Sequence, residues 1–429
     1  MRKMRDSGIE WIGAIPQDWK TDRLQWHLKE INVSNNPIQT KNILSLTIEA
    51  GVIPYAEKGN QGNKAKEDYS QYKIAFPDTL VINSMNVIIG AVGISQYFGC
   101  ISPVYYVFEP IEGTDLRYIY YLFTNTGFQK EMRKYAKGIL EIRLRISSND
   151  MLKRIVPSPP FKEQQRITDY LNKMCAEIDA VLEKTRASIE EYKKLKQAVI
   201  TQAVTKGVRG DRPMKDSGIE WMGEIPAEWE IRKIFRAINK VGDIDHYMPD
   251  SVDDGIPYLM TGDLQEKLSD VNLKRCKKVS FQDYEMLSSK IRVSKGDVIF
   301  ARYATIGTVC FVDTEDNILV SYACLIIKPN SSLLYGEFLF YYLKSTAFLE
   351  EIKQYIKANT QANVGLDSVS KAKIVLPSVH EQQKIVEYLR DKCKKIDALI
   401  AKKQQYLTEI ENYKKSLIYE YVTGKKEVV

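Results

Sequence analysis

The stretch DSGIEWIGAIPQDW at residues 6–19 returns as DSGIEWMGEIPAEW at residues 216–229, exactly 210 residues further along the chain. Both tryptophans and the proline keep their places in the second copy. A repeat of this length and fidelity indicates that one structural unit occurs twice. The rest of the chain is therefore best analysed as two halves that start at these copies.

A second pair of repeats lies further along each half. Glu163-Gln-Gln165 and Ile178-Asp-Ala180 return as Glu381-Gln-Gln383 and Ile396-Asp-Ala398, 218 residues later, and Cys175 corresponds to Cys393. Between the matched segments lie residues 21–157 and 231–376, which have similar lengths and little sequence in common. We expect these two variable blocks to share a fold while their surfaces differ.

Long helices are predicted after each variable block. Pro159 and Pro160 precede an acidic first turn at Glu163, as at a helix start. Apolar residues then recur near a heptad rhythm from Ile178 to Ala203, and again from Ile396 to Tyr421. Each helix would run about 40 residues, roughly 60 Å, and end near Gly207 or Gly424. The two apolar stripes predict that the helices pair with each other.

The variable blocks read as mixed α/β. Short β-branched or aromatic runs bounded by turn residues predict strands at residues 80–82, 87–89, 104–107, 297–300 and 324–327. Helices are predicted from Tyr118 to Lys137 and from Glu337 to Lys357, with aromatic side chains facing a core.

Composition limits the function without fixing it. The 429 residues suffice for more than one core, and the net charge of +7 permits a nucleic-acid partner as readily as a solvated surface. The six cysteines show no metal-ligand or disulfide spacing. No apolar run reaches the roughly 20 residues of a membrane helix, and the first residues do not resemble a signal peptide. We expect a cytoplasmic protein.

Catalytic motifs give little support to an enzyme. Ser158-Pro-Pro-Phe161 matches the short motif with which adenine-N6 methyltransferases hold a flipped base, but its repeat partner Pro377-Ser-Val-His380 does not preserve it. The sequence has no GxG turn for a methyl donor, no GxxxxGK phosphate loop and only three histidines. No catalytic, cofactor or metal residue is assigned, and the residues favour a reader and scaffold.

The doubled GIEW signature and the doubled Glu-Gln-Gln helix entry resemble the specificity subunits of type I restriction-modification enzymes. The resemblance covers the whole chain. It implies an α/β (mixed α+β) fold in which two target recognition domains are separated by two long antiparallel helices in a pseudo-twofold repeat. It also implies that each domain reads half of a bipartite double-stranded DNA site, and that two methylation subunits and two restriction subunits assemble around the chain. S-adenosylmethionine, ATP and Mg would then sit on those partners.

On this basis the chain divides into six segments: signature 1–20, recognition domain 21–157, helix 158–209, signature 210–230, recognition domain 231–376 and helix 377–429. Base edges are read by Arg, Lys, Asn and Gln, and further cations contact phosphates. The DNA-binding candidates with that chemistry are Lys64, Lys66, Asn83, Asn86, Arg143, Arg145, Lys274, Arg275, Lys277, Lys278, Arg302, Tyr303, Asn359, Gln361 and Asn363.

Two other functions remain open from the sequence. One is an adenine-N6 DNA methyltransferase with an unrecognised donor site, and the other is a coiled-coil interaction scaffold. The four signature tryptophans, Trp11, Trp19, Trp221 and Trp229, are expected to be packing anchors and not DNA contacts.

Overall fold

The computed structural model describes residues 2–59, 65, 67–138, 144–303, 306–355 and 364–428. The chain forms two compact units, which we call unit 1 (Met1–Arg186 with Gln405–Val429) and unit 2 (Ala187–Gln404). Each unit holds one signature copy, one variable block and parts of both long helices. This division cuts the long helices, so it differs in kind from the six sequence segments, which remain a prediction.

The described residues of unit 1 form three short helices and twelve strands. The strands are β1 Met4–Asp6, β2 Ala14–Pro16, β3 Lys20–Arg23, β4 Leu28–Ile31, β5 Leu44–Thr47, β6 Gly51–Pro54, β7 Lys73–Ala75, β8 Thr79–Asn83, β9 Val92–Ser95, β10 Gly99–Ile101, β11 Tyr105–Pro110 and β12 Ile155–Ser158. The short helices are α1 Leu116–Thr124, α2 Thr126–Arg133 and α3 Ser148–Leu152, and the long helix α4 Phe161–Lys206 begins here.

Unit 2 repeats the four-stranded sheet and the helix pair that follows it, but it has a three-stranded sheet and the additional helix Phe281–Ser288 where unit 1 has two-stranded sheets. Its strands are β13 Met214–Asp216, β14 Glu224–Pro226, β15 Glu230–Lys233, β16 Ile238–Gly242, β17 Ile256–Leu259, β18 Lys277–Val279, β19 Val298–Ala301, β20 Val309–Phe311, β21 Leu319–Val320, β22 Cys324–Pro329 and β23 Lys373–Leu376. Its helices are α5 Phe281–Ser288, α6 Gly336–Lys344, α7 Thr346–Lys353 and α8 Leu366–Lys371, and the long helix α9 Val379–Val422 begins here.

Each unit is built on a four-stranded antiparallel sheet, with strand order β4-β11-β8-β9 in unit 1 and β16-β22-β19-β20 in unit 2. Every residue of β8 is buried, because both faces of the sheet are covered. Leu80 and Ile82 join the core that contains α1, whereas Val81 packs with Leu44 and Leu46 of the β5–β6 hairpin. Coverage on both faces explains why these strands read as continuous apolar runs.

The sequence prediction for the blocks is confirmed at four of its five strands and is wrong at residues 87–89. Val87–Ile89 is a single 3-10 turn, closed by Gly90 in the left-handed conformation at φ +86°. The β-branched residues favour an extended backbone, but glycine adopts the left-handed conformation readily and so permits a tight turn here. The predicted helix from Tyr118 is likewise two helices, because Asn125 is extended and accepts a hydrogen bond from the Gly127 amide as the cap of α2. In unit 2, Ser345 interrupts the corresponding helix as the cap of α7.

The long helices contain 46 and 44 residues and pair antiparallel, as predicted. In unit 1, Asp179 bonds Lys414 at 2.6 Å and Arg186 bonds Glu411 at 2.8 Å. In unit 2, Lys196 bonds Asp397 at 2.7 Å. The pairs Asp179–Lys414 and Asp397–Lys196 are equivalent under the 218-residue repeat. The duplicated sequence therefore makes the same ionic contact twice.

The glutamate of each Glu-Gln-Gln motif binds the signature of its own unit. Glu163 accepts two hydrogen bonds from the Arg2 guanidinium, at 2.5 and 2.9 Å. In unit 2, Glu381 accepts from Arg212 at 2.5 and 2.6 Å and also from the Trp229 indole N–H at 3.0 Å. Both carboxylates are largely buried. A buried charge must be paired, so this glutamate fixes the signature to the start of the long helix.

The first glutamine of the motif binds the variable block instead. The side-chain oxygen of Gln164 accepts from the Asp115 amide at 2.9 Å, and its nitrogen donates to the Pro159 carbonyl at 2.9 Å. Gln382 makes the matching bonds to the Tyr335 amide at 2.7 Å and to the Pro377 carbonyl at 2.9 Å. Each glutamine thus joins the loop before α1 or α6 to the start of its long helix.

We predict that Gly424→Ala destabilises unit 1 more than Gly8→Ala does. Both glycines have φ near +70°, which costs other residues about 1–2 kcal/mol. A Cβ on Gly424 would lie 2.4 Å from Pro16 Cδ, whereas a Cβ on Gly8 meets nothing within 4 Å. The clash should add at least about 1 kcal/mol. Urea unfolding measures both variants, and equal losses would contradict the close packing at Gly424.

We predict that Glu381→Ala costs about 3 kcal/mol in the free energy of unfolding, because the largely buried Arg212 guanidinium loses its buried carboxylate and keeps the exposed Glu228. Glu228→Ala is the matched control, since Glu228 contacts the same Arg212 at 3.1 Å but is 55% exposed. That variant should lose less than about 1 kcal/mol. Urea unfolding followed by tryptophan fluorescence is suitable because Trp229 adjoins the site. If Glu381→Ala lowers the free energy of unfolding no more than the control does, the buried Glu381–Arg212 contact does not stabilise the unit as we infer.

Candidate nucleic-acid interface

The sheets of both units present the same edge to the candidate residues. In unit 1, Asn83 at the end of β8 pairs with Tyr105 at the start of β11, and the Ser84 carbonyl accepts from the Ile146 amide at 3.2 Å. In unit 2, Ala301 pairs with Cys324, and the Arg302 carbonyl accepts from the Val364 amide at 3.1 Å. Ser84 and Ile146 correspond to Arg302 and Val364 at the 218-residue offset. We call this region of each unit the strand-exit edge.

The strand-exit edge of unit 1 is positively charged. Arg145 is exposed, and its backbone exchanges two hydrogen bonds of 2.8 Å with that of Lys137. Lys73 is half-buried and donates to the Tyr105 carbonyl at 3.2 Å. Burial lowers the pKa of Lys73, and the charge of Arg145 lowers it further against an opposing effect of Glu30. Lys73 is thus influenced by both the positive charge of Arg145 and the negative charge of Glu30.

Asn83 and Asn86 lie in the turn at this edge. Asn83 is 7% exposed, and its side-chain oxygen accepts from the Met85 amide at 3.0 Å. Asn86 is half-buried. Asn83 thus stabilises the turn, and its contact with a base, which stays a prediction, has less support than that of Arg145.

In unit 2, Arg302 occupies the position that corresponds to Ser84 of unit 1, and it is largely buried. Its guanidinium bonds the Asp243 carboxylate and lies 5.0 Å from the centre of the Tyr303 ring. Lys290 reaches the same Asp243 at 3.5 Å. Nearby, the His246 ring stacks on Tyr322 with centroids 4.6 Å apart, and Tyr322 precedes Ala323, whose carbonyl accepts from the Arg302 amide at 3.0 Å.

Sequence reasoning missed Lys73, Lys137, Lys290, His246 and Tyr322. Lys73, Lys290, His246 and Tyr322 each contact a partner far away in the chain, and Lys137 contacts Arg145 through the backbone, so no local motif marks them. The spacing of the repeat could have located the edge itself, since Ser84 and Arg302 are equivalent.

The run Lys274–Lys278 divides into two kinds of residue. Lys274 and Arg275 are exposed. Lys277 donates to the Pro249 carbonyl and lies over the Tyr258 ring, and Lys278 donates to the Asp253 carbonyl at 3.3 Å. The first two are available for a phosphate, whereas the other two already have partners.

Six candidates lie outside the described residues, namely Lys64, Lys66, Arg143, Asn359, Gln361 and Asn363. The four signature tryptophans are packed as expected for anchors. Trp19 and Trp229 are each 1% exposed, and Trp11 and Trp221 pack partly buried against the cores of their units.

The cysteines are free thiols. Burial raises the pKa of Cys175, and raises that of the equivalent Cys393 to about 11. A thiol that resists ionisation is a poor nucleophile, which agrees with a structural role for both. Across the described ranges, no cluster of three or more His, Cys, Asp or Glu side chains is placed to bind a metal, and no helix there is long and apolar enough to cross a membrane.

Comparison with known proteins gives consistent matches. The family model for the type I restriction modification DNA specificity domain matches residues 16–191 and again residues 226–412. The putative type I restriction enzyme MjaX specificity subunit of Methanocaldococcus jannaschii is 26% identical over 459 residues, covering 97% of this chain and 96% of that protein. The type I restriction enzyme EcoBI specificity subunit of Escherichia coli is 23% identical over 291 residues, and the match spans 60% of its length.

A solved chain from a study of complex assembly and conformational transition of the type I R-M system has the same fold. It superposes with a TM-score of 0.71 at 14% identity, covering 96% of this chain and 99% of its own length.

We predict that Arg145→Ala weakens binding to duplex DNA and reduces the slope of log affinity against log salt by about 0.9, the value for one lost phosphate contact. Lys173→Ala removes an equal charge from an exposed position on α4 and is the control. Fluorescence anisotropy over a salt series measures both slopes. Equal slopes for the two variants would remove Arg145 from the interface.

Proposed function

The chain belongs to the type I restriction modification DNA specificity family, and from this premise we propose that it reads a bipartite double-stranded DNA site, one half with each unit. The observation that carries the proposal is the strand-exit edge, which both units build with the same backbone contacts. Arg145 occupies this edge in unit 1, and Arg302 with Tyr303 occupies it in unit 2. A shared frame with different side chains suits two readers of different half-sites.

The candidate residues divide by the contact that each can make. Arg145, Lys274 and Arg275 are exposed cations suited to phosphates. The planar guanidinium of Arg302 is largely buried and is oriented by Asp243 and Tyr303, so its proposed role is to fix the edge beside the base-reading residues. Asn86, Lys277, Lys278 and the six candidates outside the described residues remain part of the proposal, and Asn83 is its weakest member.

The chain is proposed to act without its own catalytic site or cofactor. Two methylation subunits and two restriction subunits would assemble on it in the cytoplasm, and would carry S-adenosylmethionine, ATP and Mg. The methyltransferase alternative loses its main motif, because Ser158 ends β12 and the Pro160 carbonyl accepts from the Glu163 and Gln164 amides in the first turn of α4. Ser158-Pro-Pro-Phe161 thus has a structural role as a helix entry.

We predict that replacing residues 231–376 by the equivalent block of a relative changes one half of the methylated sequence and leaves the other half intact. The block is suited to exchange because its two ends lie side by side, with Ile231 of β15 paired to Val375 of β23. Sequencing of methylated sites in cells that carry the complete system reads the outcome. The reciprocal exchange of residues 21–157, whose ends pair through β3 and β12, is the control and should change only the other half. A change of both halves in an active complex would contradict independent reading.

A further inference from the structure

The connection between β16 and β17 is unusually acidic. Residues 243–254, which we call the acidic connection, contain five aspartates and no lysine or arginine; the aspartates are Asp243, Asp245, Asp250, Asp253 and Asp254. Such a charge would repel DNA, yet the segment lies in the unit that carries most of the basic DNA-binding candidates.

The acidic connection contacts four cations of unit 2. Lys290 lies 3.5 Å from Asp243 and 3.4 Å from Asp245, and Arg302 bonds Asp243. The other two are the candidate lysines: Lys277 donates to the Pro249 carbonyl, and Lys278 donates to the Asp253 carbonyl at 3.3 Å and lies 3.7 Å from the Asp254 carboxylate. One twelve-residue segment thus supplies partners to three candidates and to Lys290.

Unit 1 provides an internal comparison. Its corresponding connection, residues 32–43 between β4 and β5, has no acidic residue and one lysine, Lys41. Asn35 orders this segment through hydrogen bonds to the Thr40 and Tyr69 carbonyls at 2.9 and 3.0 Å. Both connections follow the edge strand of the four-stranded sheet, β4 in unit 1 and β16 in unit 2, but they differ in charge.

We propose that the acidic connection screens the basic residues of unit 2 from DNA phosphates and so acts as a specificity determinant against non-specific duplex DNA. Attraction to phosphate is independent of sequence, and the carboxylates near Lys278 and Lys290 compete for the same ammonium groups. Exposed ion pairs are weak, so a duplex whose bases also fit can displace them. Arg302 keeps its buried partner throughout. The inference rests on the proposed function.

The test compares two variants of the full chain, each with three fewer negative charges. In the loop variant Asp245, Asp253 and Asp254 become asparagine (D245N/D253N/D254N). In the control variant three exposed acids elsewhere in unit 2 are neutralised (E220Q/E224Q/D316N). The probe is a fluorescein-labelled duplex of arbitrary sequence, and anisotropy is followed over a salt series with the chain alone and with its partner subunits.

We expect the loop variant to bind this duplex roughly tenfold tighter or more at about 0.1 M salt, with a salt slope steeper by about 0.9 or more. Lys278 loses its contact with the Asp254 carboxylate, and Lys290 loses Asp245 while it retains Asp243. The control variant should keep the wild-type slope. The smaller variant D253N/D254N changes two exposed aspartates. It should steepen the salt slope by about 0.9 through Lys278 alone. It replaces the triple variant in the test if the triple variant folds poorly.

The outcomes separate the two proposals. Wild-type chain that shows no salt-dependent binding, alone or with partners, would overturn DNA reading and the screening with it. Wild-type chain that binds normally, with loop and control variants of equal slope, would overturn the screening alone.

Discussion

The buried glutamate at the start of each long helix is the contact on which both units depend. Glu163 and Glu381 lie where the signature, the recognition domain and the helix meet, and each neutralises an arginine of its signature. The neighbouring glutamine satisfies the backbone of the recognition domain, so two consecutive side chains bind two different structural elements. Buried polar groups are costly when they lose a partner. This cost explains why Glu-Gln-Gln is duplicated while the blocks between the copies are not.

Features with a local periodicity could be predicted from the sequence, and the structure shows why. The long helices follow from a heptad rhythm with proline and glycine at their ends, and four strands follow from short apolar runs between turn residues. The prediction of a strand at Val87–Ile89 was wrong, because three consecutive apolar residues are typical of a strand. The chain instead forms a 3-10 turn that ends at Gly90 in the left-handed conformation. The prediction of one continuous helix from Tyr118 was wrong for a related reason. The capping side chain of Asn125 interrupts the helix although the residues on either side have a helical pattern.

The candidate site was harder to predict because residue type does not reveal what covers a side chain. Arg145 and Lys277 are both basic residues of variable blocks, yet Arg145 is exposed and Lys277 is bonded to the Pro249 carbonyl. Asn83 has the chemistry of a base reader but bonds the Met85 amide. Lys290 has no motif at all and reaches the edge through Asp243 and Asp245. These distinctions arise from contacts between residues distant in sequence, which composition and spacing do not encode.

The net charge of +7 conceals a difference between the two units that matters more than its value. Unit 1 has Asn83, Asn86 and the exposed Arg145 at its edge, whereas unit 2 places carboxylates against Lys278 and Lys290. The fold tolerates both solutions, because the connection after the edge strand β4 or β16 packs through its backbone and a few side chains. Phosphate attraction gives affinity without discrimination, and base contacts give discrimination only when that attraction is limited. A pair of domains that share a backbone can therefore divide these tasks through one surface connection, without any change in the core that fixes their fold.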